Sequence, residues 1–294
     1  MKFAGYILTY TIIRILHALP DRVLYFFSDG LYLLAYHLVG YRKKVVFENL
    51  ARAFPGMPPG EIRAIARKFY RHFCDLVLES AVSLFFSRVE AQQKISCKNP
   101  ELVEGLYQKG RQVIAVTGHY GNWELLPILG LLFEYRTIAV YKSLRNEYFN
   151  RFILKSREKF GATPVPMEQV ARTLMDFRQK NILTLSVFLS DQRPLRRQIQ
   201  YWTRFMGMDT PMYLGVEKLS KKIDAAVIFI KIRKVRRGQY EAECEMVCED
   251  PSVMEPYQIT EAHVRILEGL IRERPELWLW SHRRWKFTRD DPGG

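Results

Sequence analysis

The stretch VIAVTGHYGNWELLP, residues 113–127, contains the residue pair best suited to chemistry, His119 and Glu124. An imidazole beside a carboxylate can act as a general base. The carboxylate fixes the tautomer and stabilises the imidazolium, and the free ring nitrogen takes a proton from a hydroxyl. A turn between the two residues can bring the Glu124 carboxylate to one nitrogen of His119. A hydroxyl attacking an acyl thioester needs such a base and an oxyanion site, but no metal. A His and a Glu at this spacing are common on protein surfaces. The context is what singles this pair out. His119 follows an apolar run that ends at Thr117-Gly118, Gly121 permits a tight turn, and Asn122 is a good N-cap for a helix starting at Trp123. Other catalytic signatures are missing: HExxH, GxSxG and GxxxxGK[ST] do not occur.

The elements around this pair must place it at a sheet edge. Short runs rich in β-branched residues predict strands at 111–118, 137–141, 182–191 and 225–232. Amphipathic stretches at 147–161 and 167–180 lie between them, and a hairpin is predicted to turn at Arg237-Gly238. A final helix is expected over 263–274. Strands alternating with helices indicate an α/β fold with a central, largely parallel sheet flanked by helices. Ligands of such sheets bind beyond the carboxyl ends of the strands, where His119 and Glu124 would stand. Upstream, Pro55, Gly56 and Pro58-Pro59 punctuate a helical region. Ile62, Ala66, Phe69, Phe73, Leu76 and Leu78 recur there at near-helical spacing.

The N-terminus is apolar and aromatic. Residues 3–13, 23–28 and 30–41 carry no acidic or basic side chain apart from His37. None of these runs reaches the roughly 18 apolar residues of a clean span, and no A-x-A-like site follows. The expected arrangement is an apolar helical membrane-anchoring segment over residues 1–40, broken at Pro20. Residues 41–294 would then form the catalytic domain. Arg42, Lys43 and Lys44 follow directly, as on the cytoplasmic side of an anchor. The net charge of +14 suits anionic lipid, nucleic acid or an acidic protein. The four cysteines form no CxxC pair and read as reduced thiols, with no metal expected. His72 reads as exposed or capping on its helix, and His17 and His37 as interfacial. His282 lies in SHRRWK, where arginines suit a headgroup phosphate or pack as a structural tail.

GHYGNWE resembles the His-x4-Asp/Glu signature of glycerolipid acyltransferases. VVFENLARAFP, SDQR and the ending WLWSHRRWK extend the likeness along nearly the whole chain. Together they resemble the lipid A biosynthesis acyltransferases, which add secondary acyl chains to lipid A precursors. The resemblance implies an α/β fold with an N-terminal membrane helix, at the cytoplasmic face of a bacterial inner membrane. It implies an acyl-carrier-protein thioester as donor, a hydroxyl of an anionic glycolipid as acceptor, and no cofactor. Nucleic acid is not among the implied partners. His119 would be the general base and Glu124 its partner. Arg157 and Asp191 match family positions near the site. Asn122, Arg283 and Arg284 complete the expected substrate contacts. Arg193 departs from the pattern, where a smaller polar residue is expected, and Pro194 follows it; this leaves the acceptor lipid open. Two rival readings are a non-catalytic basic protein that binds anionic lipid and a lipid hydrolase.

Overall fold

The computed structural model describes residues 2–144 and 146–289; the end of the expected 41–294 unit, residues 290–294, lies outside them. The chain begins with helices α1 (Lys2–Ala18) and α2 (Asp21–Tyr32), the latter continued by a π-helical turn over Leu33–Leu38. Pro20 caps the start of α2, because proline has no N–H to leave unsatisfied there. The chain then turns at Gly40 and Arg42, both with left-handed backbone, into α3 (Lys43–Ala53) and the long α4 (Pro59–Ser83). Next come α5 (Arg88–Lys94), β1 (Ile95–Cys97), α6 (Pro100–Gln108), β2 (Gln112–Thr117) and β3 (Arg136–Tyr141). They are followed by α7 (Glu147–Lys159), β4 (Ala162–Pro166), α8 (Val170–Gln179) and β5 (Thr184–Leu189). A two-stranded hairpin, β6 (Tyr201–Phe205) and β7 (Met208–Met212), precedes α9 (Gly215–Ile223). The chain closes with β8 (Ala225–Arg236), β9 (Gln239–Cys248) and α10 (Gln258–Glu273).

Seven strands form one mixed, mostly parallel sheet in the order β1-β9-β8-β2-β5-β3-β4. Only the β8–β9 pairing is antiparallel, which follows from the tight turn at Gly238 between them. β2 lies at the centre and is buried along its whole length. Its alternate residues face opposite sides, as a pleat requires. Ile114 and Val116 join a core with α3, α4, α8, α9 and α10. Val113 and Ala115 join a second core with α5, α6 and the apolar turn after β2. A parallel strand covered on both faces has no polar side to show, hence its unbroken apolar run.

Several elements differ from the sequence expectation. The helix after Asn122 is a 3-10 helix over Trp123–Leu131. Pro127 inside it lacks the N–H that a regular α-helical turn would use. β4 carries two prolines and was not expected as a strand; it is tolerated because it is the edge strand. The β6–β7 hairpin was also not foreseen.

No single helix among the described residues is long and apolar enough to cross a membrane. The α2 helix with its π-helical turn and α3 together pass that length and composition test, but they are bent by 85°. Apolar side chains nevertheless stand in the open along α1 and α2 and at the turn after them, including Leu8, Phe26, Leu38 and Val39.

Candidate active site

Parallel register builds the centre of the site. Thr117 at the end of β2 pairs with Leu189 at the end of β5. Two residues beyond each strand end stand His119 and Asp191, so the register sets them side by side. Asp191 is buried, and its two oxygens are fully used. One lies 2.6 Å from His119 Nδ1. The other accepts the His119 backbone N–H at 2.9 Å and the Trp278 indole N–H at 2.8 Å.

This corrects the expectation for Glu124. The carboxylate on the imidazole is that of Asp191. The 3-10 turn carries the Glu124 side chain to the pocket rim, where it lies 3.8 Å from Arg157 at the end of α7. Glu124 acts on His119 through space only. Asn122 is fully buried, and its side chain does not cap the helix. It donates instead to Glu79 of α4 at 2.8 Å. Glu79 also accepts from Tyr25 at 3.0 Å and Tyr240 at 2.7 Å, so one buried carboxylate ties α2, α4, β9 and the loop after β2 together.

The electrostatics follow from this burial. Desolvation pushes the His119 imidazole downward, but the Asp191 charge and hydrogen bond outweigh it and leave the pKa above the ordinary histidine value. Burial likewise works against the Asp191 carboxylate, yet the His119 charge and three hydrogen bonds hold it down at about 2. With Asp191 ionised, the proton of neutral His119 sits on Nδ1, which leaves the Nε2 lone pair available. Gln192 Nε2 lies 3.0 Å from that atom, and the Trp123 ring stands edge-on to the imidazole at 4.9 Å.

The C-terminal segment braces the loop, a role that the sequence did not disclose. Leu279 N–H donates to the His119 carbonyl at 3.1 Å, and Gly121 N–H donates to Leu277 at 3.0 Å. Asn49 of α3 in turn donates to the carbonyls of Trp280 and His282, both at 2.8 Å. His72 was expected to be exposed, but it is buried with its Nε2 3.2 Å from the Gly121 carbonyl. Burial first, and then Lys234, lowers its pKa to about 3, so it is a neutral brace.

A cleft of about 380 Å³ opens beside the imidazole. Its lining includes Trp123, Glu124 and Gln192, with Tyr41, Phe73, Val77, Arg42 and His282. The expected arginine contacts divide. Arg283 is exposed. Arg284 is fully buried and donates to the Pro211 carbonyl at 2.7 Å and to Met212 sulfur at 2.9 Å. It is turned into the fold and has no surface to offer a headgroup in this conformation.

The sequence profile of one family, described as bacterial lipid A biosynthesis acyltransferase, matches residues 2–287. The chain belongs to this family. It is therefore an acyltransferase of lipid A biosynthesis. No curated protein matches the chain. The blocks VVFENLARAFP, SDQR and WLWSHRRWK, which carried the resemblance, are far apart in sequence and meet at one place. Asn49, Asp191 and the Trp278–His282 segment all bear on the His119 loop.

Proposed function

We propose that the protein transfers a fatty acyl chain from an acyl-carrier-protein thioester to a hydroxyl of a lipid A precursor or related glycolipid, with His119 as general base. The observation that carries this reading is the His119–Asp191 pair, whose free Nε2 meets Gln192, a residue of the cleft lining. The acceptor hydroxyl gives its proton to Nε2 as its oxygen attacks the thioester carbonyl. The tetrahedral intermediate collapses, the C–S bond breaks, and the carrier thiol leaves with the proton from the imidazolium. Asp191 stabilises that imidazolium and remains ionised throughout, as its low pKa requires. Glu124 and Arg157 at the rim bind the polar part of the acceptor, and Arg283 lies outside as a contact for its phosphate.

Membrane docking is part of this reading. The exposed apolar residues of α1 and α2 provide a surface suited to lipid. Tyr41, which follows the exposed Leu38 and Val39 in the chain, is among the residues that line the cleft, so the same segment serves both surface and site. The net charge of +14 suits both a phosphorylated glycolipid and an acidic carrier protein. The expected site is the cytoplasmic face of the inner membrane.

The test is incubation of the detergent-solubilised protein, and of His119→Ala, with radiolabelled acyl-carrier protein and lipid A precursor. Label is expected on the lipid with the native protein, at a rate about 10²–10⁴-fold above that of the variant. Label released as free fatty acid by the native protein would make it a hydrolase and overturn the proposal.

A further inference from the structure

Acyl transfer needs a donor for the oxyanion, and the loop around His119 has few left to give. In P-loop or nucleophile-elbow sites the backbone amides of the turn supply this role. Here the N–H of His119 is taken by Asp191, that of Tyr120 by the Gly118 carbonyl, and that of Gly121 by the Leu277 carbonyl. The Asn122 side-chain amide is committed to Glu79. Arg157 faces Glu124.

Gln192 supplies a neutral N–H group that is already aimed at the base. Gln192 lines the cleft, and its amide nitrogen is 3.0 Å from His119 Nε2. The acceptor oxygen must come within hydrogen-bond distance of the same Nε2. It must therefore displace the Gln192 amide, which then lies next to the carbon under attack. We propose that Gln192 is a catalytic residue that caps the base in the resting enzyme and, once the acceptor has entered, donates its amide N–H to the oxyanion of the tetrahedral intermediate.

The bonds balance without any further reactant. The acceptor oxygen forms the new C–O bond, and its proton passes to Nε2. The carbonyl π electrons move to oxygen, where Gln192 donates to them. They return as the C–S bond breaks, and the thiolate takes the proton from His119. A neutral amide suits this task, because it gives up its bond to the imidazole without leaving a charge unpaired. A carboxylate in its place would repel the oxyanion.

This inference rests on the acyl-transfer reading, and the experiment separates the two. Native protein, His119→Ala, Gln192→Ala and Gln192→Glu are assayed for transfer of label from acyl-carrier protein to lipid, with thermal melting as a check on folding. Gln192→Ala is expected to lower kcat about 10²-fold with KM for both substrates unchanged. Gln192→Glu is expected to fall at least as far. The rising limb of kcat against pH should stay in place for Gln192→Ala, because in the substrate complex the amide has already left Nε2. A residue that merely holds the imidazole would shift that limb. Native transfer that is lost in His119→Ala but retained at full kcat in Gln192→Ala would overturn the role of Gln192 alone, as would a shifted limb. A native protein that transfers no label would overturn the acyl-transfer reading and this role with it.

Discussion

His119 shows how two opposed effects on one imidazole set a working pH. Burial favours the neutral ring and the Asp191 carboxylate favours the charged one, and the carboxylate wins. As the proposed general base, His119 works only when neutral, so the rate should climb with pH through a value above 6.5, the ordinary histidine pKa. Activity would be low at mildly acidic pH and would level off on the alkaline side. Asp191→Asn tests the cause. Without the charge, burial dominates and the His119 pKa falls, so the limb moves to lower pH. The plateau should drop as well, on the order of 10³-fold. The His119 backbone N–H and the Trp278 indole N–H both need an acceptor from the oxygen they share. An amide can satisfy them only by turning its NH₂ group to Nδ1, which moves the ring proton to Nε2 and removes the base. A pH–rate profile of kcat/KM for both proteins checks this; an unchanged limb in Asp191→Asn would show that Asp191 does not set the imidazole pKa.

At the scale of elements, the site is a loop held by a strap. Leu277 to His282 runs along the His119 loop and supplies Trp278 to Asp191, and Asn49 in α3 anchors the strap by two hydrogen bonds. Asn49 is buried, so Asn49→Ala leaves the Trp280 carbonyl without that donor in a place water does not reach. A cost of about 1–3 kcal/mol per abandoned group is expected. Asn49→Asp should cost more, since a carboxylate would face two carbonyls. Thermal denaturation should show both, and activity should fall along with stability although Asn49 touches no substrate. A melting temperature equal to that of the native protein would refute the strap. This contact also marks the limit of what the sequence disclosed. The strands β2, β3, β5 and β8 were legible because an apolar run buried on two faces has few alternatives. The place of His119, two residues past the end of β2, was legible from its position after one of those runs. The choice between Glu124 and Asp191 was not, because it depends on which strand lies next to β2. That neighbour is β5, three strands later in the chain, and its register places Asp191 against the ring. Glu124 is near in sequence, but the Pro127-containing turn leads it to the rim. Arg284 misled for a related reason: a basic run looks like a surface, yet alternate residues of an irregular strap can face inward.

For the molecule as a whole, charge and apolar surface bear on the same question of how a lipid reaches His119. The charge of +14 acts at long range and weakens with salt. The open side chains of α1 and α2 act only on contact and do not weaken with salt. If both contribute to docking, binding to vesicles containing anionic lipid should fall as salt rises and then reach a floor, with the apolar surface holding what remains. Phe26→Glu with Leu38→Glu removes two of the most exposed apolar side chains, at 74% and 80% exposure. Each large apolar group that enters a bilayer contributes roughly 1.5–3 kcal/mol. Losing two should therefore weaken vesicle binding by at least about 100-fold. Stability should be unaffected, since neither side chain is packed in the core. The comparison is made by vesicle sedimentation at low and high salt. The double variant should bind more weakly at low salt and fall well below the native floor at high salt, while the native protein keeps its floor. Transfer to a detergent-dispersed acceptor should survive in the variant, because the cleft from Tyr41 to His282 is left intact. Equal vesicle binding by both proteins at high salt would mean that Phe26 and Leu38, on α2 and the turn after it, do not carry the contact.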